Sequence, residues 1–179
     1  MKPGKNWLVK MLNRQEIEKL IREKSLVSKY IDLTIQLTPN GIDLTVEKIF
    51  EFKDCGTLDF SNKQRKLSEC SELIPGKESP EDKFGWWLLK KGIYKIKTNE
   101  VVNLPLDLVG IAFPRSSLLR LGAFTQTGIW DAGFRGESEF VLVVENLSGI
   151  KIKQNSRIIQ LAFLRMNETI EGYNGIYQR

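Results

Sequence analysis

Residues 31–52 read IDLTIQLTPNGIDLTVEKIFEF. Apolar and polar positions alternate on both sides of Pro39-Asn40-Gly41, a turn signal. Alternation with period two predicts strands with one buried face, joined here by that turn. The same texture returns in WWLLKKGIYKIKT (86–98), VVNLP (101–105), DLVGIAF (107–113), FVLVVEN (140–146), GIKIK (149–153) and RIIQLAFLR (157–165). Short strands at close spacing, punctuated by Gly and Pro, predict an all-β, mainly antiparallel sandwich or barrel. One helix precedes them, over NRQEIEKLIREKSL (13–26). Asn13 caps it, Glu16 completes a capping box, and Ile17, Leu20 and Ile21 form its apolar stripe.

The chain of 179 residues suits a single domain over 1–179. Residues 1–10 read as a loose extension, and the polar run 53–85 as a long exposed excursion. No apolar run approaches the ~20 residues that span a bilayer. The N-terminus lacks the apolar core of a secretory signal, so a cytoplasmic protein is expected. Cys55 and Cys70 are then expected as free thiols.

The histidine count is zero. That excludes Ser-His-Asp and Cys-His catalysis and histidine metal ligation. Two cysteines cannot build a zinc deaminase centre either. Carboxylates, hydroxyls, cations and a hard metal ion are what remains for chemistry. A net charge of +5 suits a polyanionic partner, nucleic acid or nucleotide. The four tryptophans and scattered lysines form no stacking platform with a basic stripe, which leaves a nucleic-acid-binding role with little support.

The residue types that bind phosphate gather in PRSSLLRLGAFTQTGIWDAGFRG (114–136). Pro114 marks the exit from a strand. The Arg115 fork, the hydroxyls of Ser116 and Ser117 and the amides of a turn make either an anion cradle or a solvated turn, and SSLLRLG reads as one short helix. Gly128, Gly133 and Gly136 permit tight turns. Asp131, between Trp130 and Phe134, is either a turn aspartate capping its own backbone or a functional carboxylate. Gln160, inside the apolar run 157–165, is expected to be buried and partnered. Tyr173 and Tyr177, beside Gly172 and Gly175, read as either a mobile flap or a frayed terminus.

In order, NGIDL (40–44), the run from Leu89 to Gly122, GIWDAGFRG (128–136), VVEN (143–146), RIIQLAF (157–163) and YNGIYQ (173–178) resemble the dUTPase and dCTP deaminase superfamily. The likeness runs from about Asn13 to the C-terminus, and it is closest to the archaeal-type dUTPases. It implies a distorted jelly roll, a homotrimer with active sites at subunit interfaces, and dUTP as the small-molecule partner. It implies that Arg115, Ser116, Ser117 and Arg120 contact phosphates, and that Asp131 positions the attacking water at the deoxyribose. Phe134 would lie under the sugar and Gln160 would reach the nucleotide. Gly128, Ile129 and Trp130 would belong to the hairpin that reads the base through its backbone. Tyr173, Tyr177 and Gln178 would approach from the C-terminus. Mg2+ is the implied cofactor, held mainly by the triphosphate with Asp43 near its waters.

The superfamily's deaminases carry a glutamate on the strand after the aspartate turn. Counting back from Asn146 gives Val143, and counting forward from Asp131 gives Val141; neither can move a proton. Glu139 and Glu145 stand nearby in a shifted register. Ile176 also stands where the deaminases often place a lysine. The expected reaction is therefore dUTP plus water to dUMP and pyrophosphate. The alternatives are dCTP deamination, alone or combined with dUTP hydrolysis, and a non-catalytic dUTP-binding regulatory protein.

Overall fold

The computed structural model describes residues 10–178. Strand β4 (Gly41–Phe52) organises the fold because it belongs to two sheet regions at once. From Ile42 to Thr45 it pairs with β12 (Arg157–Arg165). From Val46 onward it pairs with β7 (Gly92–Asn103), and its far end carries β5 (Cys70–Leu73). On the first side, β12 also takes β8 (Leu108–Pro114) and the short β1 (Lys10–Met11). On the second, β7 takes β10 (Arg135–Val144), which takes β9 (Ala123–Gln126). Every one of these pairings is antiparallel. The two-stranded sheet of β6 (Trp86–Leu89) and β11 (Ile150–Lys153) stands apart. The expected class, mainly antiparallel all-β with an N-terminal helix, is the one observed.

Curling brings the apolar faces of the two regions together over Ile42, Leu44, Ile49, Ile96, Leu108, Leu142, Ile159 and Phe163, all fully buried. Each such side chain contributes roughly 1.5–3 kcal/mol on leaving water. Helix α1 (Arg14–Lys24) seals one side with Ile17 and Ile21. Its capping box is reciprocal: the Asn13 side chain accepts from the Glu16 amide at 3.0 Å, and Glu16 Oε2 accepts from the Asn13 amide at 3.1 Å. Of the expected loose extension, only Lys10 falls within the described residues, paired with Arg165; residues 1–9 lie outside them.

Three local readings are corrected. Residues 33–36 form a helical turn, α2 (Leu33–Gln36), instead of continuing the alternation. The cause is Asp32, whose carboxylate accepts from the Thr34 amide at 2.9 Å and the Ile35 amide at 3.3 Å. An aspartate that satisfies local amides competes with the strand ladder. The strand resumes as β3 (Leu37–Thr38), and the Thr38–Gly41 pair leaves Pro39-Asn40 as a two-residue hairpin loop. Second, the expected strand 86–98 divides at Lys90-Lys91, and its second part runs unbroken into the expected strand 101–105 as β7. Third, β5 and β9 lie where no strand was read. Both are four residues long and carry only two turns of the alternation.

The excursion folds back along itself. The Lys53 amide meets the Glu69 carbonyl, Thr57 bridges Lys66, and Gly76 bridges Trp86. None of residues 53–84 is buried. Cys55 and Cys70 are free thiols. Among the described residues no helix is long and apolar enough to cross a membrane.

Candidate functional site

The first cluster forms where β4, β8 and β12 run side by side. Gln160 on β12 lies opposite Asp43 on β4 and opposite Phe113 on β8. Cross-strand partners share a sheet face. A register shift between Arg157 and Ile159 inserts one residue into β12. Residues three apart normally face opposite ways; the bulge re-aims Arg157 toward the Asp43 side. Arg157 Nη1 then lies 3.2 Å from Asp43 Oδ2 and 2.9 Å from the Ile35 carbonyl. Arg115, just past the end of β8, places Nε 2.9 Å from the same Oδ2. Its Nη1 donates to the Arg157 carbonyl at 3.4 Å.

Asp43 is thus a buried carboxylate, with 3% of its side chain exposed, clasped by the guanidiniums of two arginines whose side chains are 30% and 34% exposed. Burial pushes its carboxyl above the ordinary value, against the opposing pull of Arg115 and Arg157. The carboxylate fixes the forks and leaves part of each toward solvent, a geometry suited to phosphate oxygens. The short helix α3 (Ser116–Arg120) follows at once, with Ser116 and Ser117 exposed in its first turn and Arg120 exposed in its last. Gln160 is half-buried, less than expected, and its amide donates to Thr38 Oγ1 at 2.8 Å.

No group of three or more His, Cys, Asp or Glu suited to a metal occurs among the described residues. Asp43, sequestered with Oδ2 held by both arginines, does not fit a direct metal ligand.

The second cluster is the turn 130–136. Trp130 exchanges both backbone hydrogen bonds with Gly110, and its indole N–H donates to Ser138 Oγ at 2.8 Å. The Asp131 carbonyl accepts from the Phe134 amide, closing a tight turn through Gly133 at φ +80°. The Asp131 side chain is exposed, and no hydrogen bond or ion pair engages its carboxylate among the described residues. The carboxylate is therefore not a turn cap.

The C-terminal segment docks against this turn. The Tyr173 amide donates to the Ala132 carbonyl at 2.8 Å, and its ring meets Phe134 edge-on at 5.5 Å. Gln178 accepts from the Arg135 amide and donates to the Gly133 carbonyl. Gly133 is required here: a Cβ on it would come within 2.8 Å of the Gly172 Cα.

Gly128, Ile129, Trp130, Phe134, Tyr173 and Tyr177 line one cleft of about 750 Å³. Its floor is β7 and β10, and residues 56–58 and 66–68 of the excursion form an outer wall. Val141 lines it, as do Glu137 and Glu139. Glu139 pairs with Lys95 at 3.0 Å. Lys97 and Lys29 pair with Glu137 and hold its carboxyl below the ordinary value. Glu145 lies outside the cleft, paired with Lys91. Of the two acids left by a shifted register, only Glu139 lines the cleft.

Within one chain the two clusters stay apart. Asp43, Arg115, Ser116, Ser117, Arg120 and Gln160 do not line the cleft; Asp131 and Gln178 do not line it either, but belong to the turn and the docked segment at its side. Trp130 is fixed at Gly110, while Arg115 follows Pro114 at the far end of β8. Arg115 is five residues on from Gly110, about 16.5 Å at ~3.3 Å per residue. Arg157 was not read from sequence, because its three-residue offset from Gln160 reveals a shared face only once the bulge is known.

A model of the dCTP deaminase-like family matches residues 11–166. A probable deoxyuridine 5′-triphosphate nucleotidohydrolase of Methanosarcina mazei is 45% identical over 170 residues, 94% of this chain and 96% of that protein. One from Archaeoglobus fulgidus is 42% identical over 168 residues, 94% and 95% of the two chains. The deoxyuridine 5′-triphosphate nucleotidohydrolase of Methanocaldococcus jannaschii is 36% identical over 143 residues, 80% and 87% of the two. Among solved structures, the 2′-deoxycytidine 5′-triphosphate deaminase of Agrobacterium tumefaciens shares the fold, with a TM-score of 0.64 at 20% identity. The likeness covers 88% of this chain and 48% of that one.

Proposed function

This chain belongs to the dCTP deaminase-like family, and on that premise we propose that it hydrolyses dUTP to dUMP and pyrophosphate. The observation that carries the reading is 42–45% identity to named dUTP nucleotidohydrolases across nearly the whole of both chains. The geometry supports it through two complementary half-sites: an unpartnered carboxylate at a sugar-sized turn, and paired guanidiniums beside exposed hydroxyls.

In the proposed reaction Asp131 orients a water for in-line attack on the α-phosphorus. The water oxygen forms the new P–O bond, and the bond to the bridging α–β oxygen breaks as pyrophosphate leaves. Asp131 takes up the water's proton. Arg115, Ser116 and Ser117 stabilise the charge on the transferring and leaving groups. Mg2+ enters with the triphosphate as part of the substrate. Phe134 and the docked Tyr173 pack beneath the deoxyribose, and the backbone of 128–130 reads the uracil edge. Because the half-sites of one chain are about 16.5 Å apart by strand rise, a working site takes Asp131 from one copy and Arg115 from a neighbour. A homotrimer is the proposed assembly.

Glu139 favours one second reading. It is a carboxylate inside the base-side cleft, beside Lys95, and supports deamination of dCTP. One assay separates the two: dUTP, dCTP and UTP are offered with Mg2+, and pyrophosphate and ammonia are measured separately. Pyrophosphate from dUTP alone is the expected result. Ammonia from dCTP would move the assignment to Glu139, and binding without either product would leave a regulatory protein.

A further inference from the structure

Strand β7 contains a carboxylate that neither half-site uses. Glu100 is fully buried. It stands opposite the register shift between Glu137 and Glu139 of β10, and two residues past Thr98, where the pairing of β7 with β4 ends at Val46. Such irregularities re-aim side chains out of the ladder. Glu100 Oε1 accepts from Gln36 Nε2 at 2.7 Å and from Thr45 Oγ1 at 2.6 Å. Its Oε2 accepts from the Thr45 amide at 2.9 Å.

Each of these three contacts has a fixed direction. An amide N–H and a carboxamide NH2 can only donate. The Thr45 hydroxyl already accepts from Asn99 Nδ2 at 2.9 Å, so its own hydrogen turns to Glu100. Three neutral donors therefore converge on an acceptor-only group, with no ion pair to it among the described residues. Glutamine cannot replace it without aiming an NH2 at a donor.

The network leads to the phosphate half-site. Gln36 gives its second hydrogen to the Asp43 carbonyl at 2.9 Å, while its Oε1 accepts from the Ile31 and Asp32 amides. Asp43 and Thr45 are two apart on β4, on one face, so Glu100 grips that strand on both sides of Leu44. Asp43 then sets Arg115 and Arg157.

We propose that Glu100 is a positioning residue, which through Gln36 and Thr45 holds β4 so that Asp43 aims the Arg115 fork at the nucleotide's phosphates. This rests on the phosphate-binding role given above to Arg115. The carboxylate acts by registering a strand and touches no substrate.

The test is a double-mutant cycle of Glu100→Gln with Arg115→Lys, read by calorimetric binding of inorganic tripolyphosphate and by KM and kcat for dUTP. Losing a hydrogen bond to a charged group in such a network corresponds to roughly a tenfold change or more. Glu100→Gln is expected to weaken tripolyphosphate binding and raise KM about tenfold, with kcat changed much less. Arg115→Lys should cost distinctly less in the Glu100→Gln background than in the parent, because the fork is already misaimed. Gln36→Met, which keeps the buried carboxylate, should reproduce the pattern should Glu100→Gln fail to fold. Parent-like tripolyphosphate affinity in folded Glu100→Gln, or effects that multiply independently, overturns the inference while dUTP turnover stands. A parent that binds tripolyphosphate and shows this coupling, yet turns over no dUTP, overturns the proposed reaction and leaves the inference intact. A parent that does not bind tripolyphosphate overturns both.

Discussion

Asp43→Asn removes one charge and almost no volume, so it isolates the electrostatic role of the clasp. In the parent, one buried carboxylate oxygen faces two guanidiniums at 2.9 and 3.2 Å and offsets half of their charge. Removing one member of a buried ion pair usually costs ~3–5 kcal/mol, because the partner is left uncompensated. Here about a third of each arginine side chain is exposed, so water recovers part of that loss. The discounted cost is about 2–3 kcal/mol, or roughly 5–10 °C in Tm for a chain of this size. The same geometry sets a second, sharper expectation. A bound polyphosphate would supply the missing negative charge, so it should stabilise Asp43→Asn by more degrees than it stabilises the parent. Thermal unfolding of both proteins, with and without tripolyphosphate, reads both quantities. Glu18→Gln provides the control: its pair with Arg22 is on the surface of α1, and its loss should leave Tm close to that of the parent. An unchanged Tm in Asp43→Asn, or a deficit of equal size with and without the anion, refutes the clasp.

Asp131→Asn should lower kcat by about 10²–10⁴-fold while leaving the affinity for a non-hydrolysable dUTP analogue near that of the parent; a variant with full turnover removes Asp131 from the chemistry. Gly133→Ala places a side chain at φ +80° and drives a Cβ to 2.8 Å from Gly172, so the C-terminal segment should lift from the turn. Faster proteolytic clipping after residue 171 and about 1–2 kcal/mol of lost stability are expected. Glu100 supplies a pH signature: burial raises its carboxyl above the ordinary 4.5, against the pull of the Thr45 and Gln36 donors. A raised acid in the folded state binds its proton more tightly than in the unfolded chain, so its contribution to stability is complete below pH 4.5 and is lost as pH rises through the folded value. The stability of the parent relative to Glu100→Gln should therefore fall as pH is raised from 4.5, and a constant difference across that window shows that no shift exists.

The parts legible in sequence are those in which a local pattern and a tertiary demand coincide. Asn13 and Glu16 signalled a capping box because both partners lie within one helical turn. Pro39-Asn40 became the hairpin loop because that turn permits little else. Arg115, Ser116 and Ser117 were visible because their spacing places phosphate-binding groups on adjacent residues at the end of a strand. Arg157, Glu100 and Gln36 were not legible, for one shared reason. Each acts across a register irregularity or through a partner 55 or more residues away in sequence, apart from the bonds of Gln36 with Ile31, Asp32 and Asp43. The period of two that reveals a strand is blind to the extra residue that turns one side chain around. Asn99-Glu100 even read as the gap between two strands, because a charged residue there breaks the alternation.

That misreading bears on how the site is built. A glutamate in the interior of a twelve-residue strand is costly unless its acceptors are saturated. Here they are saturated by donors that come from α2 and β4, two elements joined through the Pro39-Asn40 hairpin. Those elements also carry Asp43 and the Ile35 carbonyl, the two groups that hold Arg157. The arginines that would meet a polyanion are thus set by backbone which one buried anion keeps in register. A hydrophobic residue at position 100 would satisfy the core and take the Glu100 acceptor from the Thr45 amide and from one hydrogen of the Gln36 carboxamide. The local stability gained would be offset at the very strand that aims the phosphate-binding groups, so the polar network belongs to the site even though none of it touches substrate.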